Sequence, residues 1–227
     1  MAKKAKAASG RSSAKKTRAK SVKKASASKG RTKATAKRRA NGRRANGADR
    51  APSRGRDPAA IALLKQDHRT VEALFEEFEE ATSPTDKRNI AREICLELTI
   101  HTMIEEELFY PAVKDAIDEE TYGEALVEHD GAKVLIAEIM DANPRDEFYD
   151  ARVKVLSEMI KHHVKEEEQP GGMFAQARRG DIDFDDLGER LEQRKDDLKR
   201  TLKRSGIPAP ETRTLHGAEL RYGDPVG

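Results

Sequence analysis

Tryptophan is absent from the 227-residue chain, cysteine occurs once, and aromatic residues make up only 4% of it. The lone Cys95 excludes an internal disulfide and any cysteine-cluster metal site, and it suits a reducing compartment. No apolar stretch approaches the roughly 18 residues of a membrane span. The N-terminus has no short apolar core of a secretory signal either, so the expected location is cytoplasmic, without membrane contact. Acid is missing from one end of the chain. Residues 1–56 hold 21 Lys/Arg and a single carboxylate, Asp49, for a net charge of +20. Residues 57–227 hold 23 Lys/Arg and 40 Asp/Glu, net −17, so the overall +3 conceals two pieces of opposite sign.

The basic piece is low-complexity Lys/Ala/Arg/Ser/Gly, and its only large apolar residues are Met1 and Val22. Nothing there can be buried to offset the entropy of ordering, so residues 1–56 are expected to be a disordered tail. In composition the tail resembles the Lys/Ala-rich tails of linker histones and of histone-like bacterial nucleoid proteins. That resemblance implies non-specific binding to a polyanion, most simply DNA, and a nucleoid location. A purely solubilising tail is the plain alternative. A mitochondrial presequence fits less well, because the segment lacks a hydrophobic face.

From Asp57 onward, apolar residues recur at helical spacing. Asp57 can cap a first helix with Pro58 at its first position, and Ile61, Leu64, Val71, Phe75 and Phe78 form its stripe. Ser83-Pro84 opens a second helix carrying Ile90, Ile94 and Leu98, which should end or kink near Pro111. A third runs from about Asp118, with Tyr122, Leu126, Ile136 and Met140 on one face; a fourth follows "NPRDE" with Tyr149, Leu156 and Ile160. "QPGGMF" stops it, and an amphipathic fifth helix spans about 183–203. No strand alternation is present. These patterns predict an all-α fold: an antiparallel up-down-up-down four-helix bundle over 57–170, a C-terminal helix over 171–205 packing on or near it, and a flexible end at 206–227.

Histidine falls once on each stripe of the four bundle helices: His68, His101, His129 and, on the fourth, His162 or His163. His68 lies 15 residues before Ser83 and His101 18 after it, while His129 lies 14 before Asn143 and His163 20 after it. Each residue rises about 1.5 Å, so each hairpin brings its two histidines to within about two turns of one level. One such histidine is ordinarily a satisfied core residue. Four at matched depth call for a shared cation. Glu105 and Glu167 each sit one turn beyond a histidine on the same face, where an unpaired carboxylate is costly. Their neighbours Glu106, Glu107, Glu166 and Glu168 read as solvated faces. Periodicity does not separate His162 from His163, because Val155, Met159, His162 and Glu166 form a second stripe.

"DHRTVEALF", "HTMIEEELFYP", "EHDGAKVLIAEI" and "HHVKEEE" together resemble the hemerythrin family in its bacterial HHE cation-binding branch. The family pattern is His, His-x-x-x-Glu, His, His-x-x-x-Glu on successive helices. The resemblance covers about residues 58–170 and selects His163 over His162. It implies that His68, His101, Glu105, His129, His163 and Glu167 ligate a non-haem di-iron centre, with the glutamates as bridges. Imidazole and carboxylate donors without thiolate suit iron, with zinc or manganese as alternatives. Lys133 stands where oxygen-carrying members have a further histidine, which counts against reversible oxygen transport.

Three readings of function follow. One is redox handling of iron, dioxygen, peroxide or nitric oxide at a di-iron site. Another is a non-catalytic module that senses or stores iron or oxygen. The third is a nucleoid-associated protein whose bundle is a metal-stabilised anchor. Iron–sulfur cluster repair proteins share the bundle type but carry a cysteine-containing N-terminal region that is missing here. Whether the protein is an enzyme is left open by the sequence.

Overall fold

The computed structural model describes residues 56–215. The basic tail, apart from Arg56, and residues 216–227 lie outside the described residues, and with them the expectations of disorder and of DNA contact. Every regular element among the described residues is helical.

Four long helices carry the design: α1 (Ala59–Glu80), α2 (Pro84–Ile104), α4 (Glu119–Asp141) and α5 (Tyr149–Glu168). Between α2 and α4 come a widened π-helical turn (Glu105–Phe109), the short α3 (Tyr110–Val113) and a tight 3-10 turn (Lys114–Ala116). After α5 follow the short α6 (Met173–Ala177) and α7 (Phe184–Ser205). Helix α1 packs against α2, α5 and α7; α4 packs against α5 and α2. Several starts are chemically explicit. The Ser83 hydroxyl accepts the Asp86 N–H, Asp118 accepts the Thr121 N–H, and Asp183 accepts those of Asp185 and Asp186. Asp57 does not cap α1, which begins one residue after Pro58; its carboxylate instead pairs with Lys65 and Arg178.

The expected irregularity near Pro111 lies earlier in the chain. In the π turn the Tyr110 N–H reaches the Glu105 carbonyl, five residues back, and the helical path continues through Pro111 to Val113. Proline cannot donate to, and crowds, the carbonyl four residues before it, so a widened turn just upstream lets the chain pass. The turn also keeps Glu105, Phe109 and Tyr110 all buried.

The core forms two apolar clusters. One gathers Ile61, Leu64, Ile100, Ile104, Phe109 and Phe174 together with Leu187 and Leu191 of α7. The other gathers Val71, Phe75, Ile94, Leu98, Ile136 and Leu156. His68 falls between Leu64 and Val71, and His101 between Leu98 and Ile104, so the histidines form a polar layer between two apolar ones. Helix α7 lies on α1 at Gly188, where a Cβ would come within 2.8 Å of the Ala59 side chain. Residues 206–215, expected to be flexible, lie against the bundle. Ile207 packs on both clusters, and Asp130 accepts the N–H groups of Arg213 (2.7 Å) and Thr214 (2.6 Å) plus the Thr214 hydroxyl (2.8 Å). Lys133 meets the other oxygen, Oδ1, at 3.2 Å, so the segment supplies the partners that buried Oδ2 needs.

Candidate metal centre

All six residues expected at the site converge. His68, His101, Glu105 and Glu167 form one group and Glu105, His129 and His163 a second, each with donor atoms within 4.8 Å of one another and every member buried. Glu105 belongs to both groups: its Oε2 lies 3.2 Å from His101 Nε2 and 3.4 Å from His129 Nε2. Glu167 spans them differently, with Oε2 3.4 Å from His68 Nε2 and Oε1 3.7 Å from His163 Nε2. Of the two histidines in "HHVKEEE", His163 faces the core at 3% exposure, whereas the side chain of His162 is 62% exposed.

The opposite edges of the imidazoles face a ring of carboxylates. His68 Nδ1 is 2.8 Å from Glu168, His129 Nδ1 3.1 Å from Glu106, and His163 Nδ1 2.9 Å from Glu128. His101 Nδ1 faces Asp67 at 3.7 Å, too long for a hydrogen bond. Each of these carboxylates is itself anchored: Glu168 by Arg69, Glu106 by Lys133 at 2.7 Å, Glu128 by His162 at 3.4 Å, and Asp67 by Lys195 of α7. Glu106 and Glu168 are therefore not solvated faces. They stand behind the histidines, a role that helix periodicity alone does not reveal because they project sideways from the stripe. Glu107, by contrast, is a surface partner of Arg194, and Glu166 bonds Gln169.

For three of the four histidines this ring favours one tautomer. A neutral imidazole whose Nδ1 lies within hydrogen-bond distance of a carboxylate carries its proton there, so His68, His129 and His163 donate outward and, when neutral, keep an inward lone pair on Nε2. His101 Nδ1 has no such bond. The Nε2 atoms face one another in pairs: those of His68 and His101 are 3.2 Å apart, as are those of His129 and His163. Glu105 adds two buried oxygens, and Glu167 one, with no hydrogen-bond partner. Facing Nε2 atoms and orphaned carboxylate oxygens in an apolar surround need positive charge, so the residues present fit a pair of cations. Without them the electrostatics are frustrated. Burial, reinforced by Glu167, Asp67 and Glu106, pushes the Glu105 carboxyl well above its ordinary range. Glu167, despite burial, is drawn down by His163 and His68. Burial and the neighbouring His163 push His129 down to about 4, whereas Glu167 and Glu168 overcome burial to hold His68 at about 8.

Besides Asp67 and Glu128 of the carboxylate ring, two aromatic residues at the site were not singled out from the sequence. Tyr110 donates its hydroxyl to Glu167 Oε1 at 3.2 Å and lies 3.1 Å from His129 Nε2; the π turn aims it there. Phe174 of α6 stacks on His68, with ring centroids 6.0 Å apart and an 8° interplanar angle. The aromatic pair after "EEE" was the available signal for Tyr110, but its direction depends on the non-α turn.

Fold and cluster together define a helical bundle with a carboxylate-linked, four-histidine cluster in its core that could hold metal ions. Residues 59–170 match the family model described as hemerythrin HHE cation binding domain, and this segment belongs to that family. A solved structure of a hemerythrin HHE cation binding domain-containing protein from Mycobacterium kansasii shares the fold, with a TM-score of 0.54 and 24% identity. That alignment covers 65% of this chain and 94% of the other. The chain is also 29% identical over 116 residues to a DNA nickase of Nostoc sp., a match covering 51% of this chain and 32% of that protein. This chain thus spans less than a third of the curated relative's length.

Proposed function

We propose that the chain is a hemerythrin-like non-haem di-iron protein that handles dioxygen, peroxide or nitric oxide. The observation that carries this reading is the two opposed Nε2 pairs, each backed by Nδ1–carboxylate bonds. His68 and His101 would hold one iron, His129 and His163 the other, and Glu105 and Glu167 would reach both. The donor set of nitrogen and oxygen without thiolate favours iron over zinc, and manganese remains the alternative. The four helices are read as running up-down-up-down, supported by the contacts His68–His101 and Phe78–Lys87 on either side of the α1–α2 turn.

When bound, the metal pair supplies redox equivalents that no side chain of this cluster has. The protein's own part is positional. Apolar layers above and below exclude water, and the outer carboxylates hold the Nδ1 protons of His68, His129 and His163. Tyr110 keeps a transferable proton on its hydroxyl beside Glu167 Oε1, and burial together with Glu105 and Glu167 raises that phenol well above its usual range. Reduced, iron-loaded protein mixed with hydrogen peroxide, dioxygen or nitric oxide should change its visible absorption with at least one of them. No change with any would leave a purely structural cation site, the metal-stabilised anchor.

The charge division supports a second part of the reading: residues 1–56 tether the bundle to DNA in the nucleoid. A bundle segment at −17 would be repelled by DNA, whereas a +20 segment releases counterions on binding it. The Nostoc relative is named a DNA nickase; nicking is not carried over, since this chain spans so little of that protein. Full-length protein should shift DNA in a gel at low salt without sequence preference, and a chain beginning at Asp57 should not. Equal binding by both would refute the tether.

A further inference from the structure

Among the described residues two clefts reach the histidine–carboxylate cluster or its outer ring, and of these two only the smaller is lined by a site histidine. The larger, about 850 Å³ between α2, α4 and the 207–213 segment, ends at Glu106 and Lys133. The smaller, about 370 Å³ between α1 and α5, is lined by His68 itself, together with Arg69, Glu168, Ile160 and Val164. Behind Ile160 and Val164 is a void of about 10 Å³ bordered by all four site histidines. Glu105, Glu167 and Tyr110 do not line it. His68, Ile160 and Val164 line both spaces and form the partition between them.

We infer that small molecules reach the cluster through the α1–α5 seam, with Ile160 and Val164 as the gate that sets their size. The inference rests on the di-iron reading. A void of that volume is at the lower limit for one water, so the path opens only as Ile160 and Val164 change rotamer, a gap that suits water, dioxygen, nitric oxide or peroxide and turns away organic substrates. The seam suits passage. Both gate residues are only part-buried aliphatic side chains, whose rotamer changes open a path without breaking any hydrogen bond. Each cleft also meets a carboxylate that backs a histidine, Glu168 with Arg69 in the seam and Glu106 with Lys133 in the larger cleft; the Glu106 pair is the more deeply buried, and the Arg69 partner of Glu168 is half-exposed.

Azide, followed by stopped-flow absorption on the iron-loaded full-length chain, tests the route without relying on turnover. Val164→Ala should raise the association and dissociation rates together by several-fold and leave the affinity unchanged, because a gate alters the barrier and not the bound state. Val164→Phe should slow association by about tenfold or more. Met103→Phe, which fills the α2–α4 cleft, should leave the rates as they are. Should the phenylalanine variant at 164 fail to load iron, the alanine variant still decides. A loaded Val164→Ala protein with parental azide rates, or slowing by Met103→Phe alone, would overturn the route. A parent chain that takes up no iron would overturn the di-iron reading and the route with it.

Discussion

Glu106→Gln isolates what the outer carboxylates contribute. The substitution keeps the shape of the side chain and removes its charge from behind His129 Nδ1, 3.1 Å away, and from Lys133, 2.7 Å away. Loss of a carboxylate behind a ligating histidine typically lowers metal affinity about 10–100-fold, or about 1.4–2.7 kcal/mol. At fixed, saturating iron the same amount is lost from the stabilisation that binding confers on the folded state. For a domain of this size about 2–4 °C of Tm accompanies each kcal/mol, so the gap between loaded and metal-free Tm should narrow by about 3–11 °C. The metal-free protein should not suffer equally. Glu106 is one of the charges that oppose ionisation of Glu105, and its removal relieves that strain. Differential scanning calorimetry of both proteins, with and without iron, gives the two gaps. If the variant's gap equals the parent's, the outer carboxylates do not act through the metal.

His163→Ala should lose at least one metal per chain by elemental analysis, while His162→Ala, altering an exposed ring, should keep nearly full loading; equal losses would contradict the geometry. Phe174→Ala should destabilise the bundle by about 3–5 kcal/mol in urea titration, because a buried ring between His68 and Phe109 leaves a cavity. A negligible change would mean that α6 is dispensable to the site. Cys95 is fully buried, which pushes its thiol up to about 12, so at pH 8 it stays protonated and should react with a thiol reagent only on unfolding. Rapid labelling of the native protein would refute that.

The parts legible in the sequence were those governed by period and by local capping. Spacing placed Ile61, Leu64, Val71 and Phe75 on one buried face, and Ser83 and Asp118 announced their helices through the hydrogen bonds they make. His101 with Glu105 could be read as one face because the two are four apart, and His68 and His129 because they fall on apolar stripes. The choice of His163 with Glu167 over His162 with Glu166 came from the family pattern. What escaped depends on neighbours far along the chain. Glu106 and Glu168 look like surface glutamates until α4 and α1 bring His129 and His68 against them. Asp67 reads as an ordinary helix acid, yet it is buried because Lys195 arrives from α7, 128 residues later. The π turn is a response to Pro111 and to the packing of Phe109 and Tyr110, and the sequence suggested only that something had to yield nearby. Residues 206–215 have no periodicity, so their attachment through Asp130 could be read only from the fold.

The central claim is that the buried histidine–glutamate layer exists to hold two irons. Elemental analysis of purified full-length protein, alongside His101→Ala and Glu167→Ala, tests it most directly. About two irons per parent chain, with most of that iron lost in both variants, is the result this account predicts. Full iron in both variants, or a parent chain without metal after anaerobic reconstitution with ferrous iron, would contradict it.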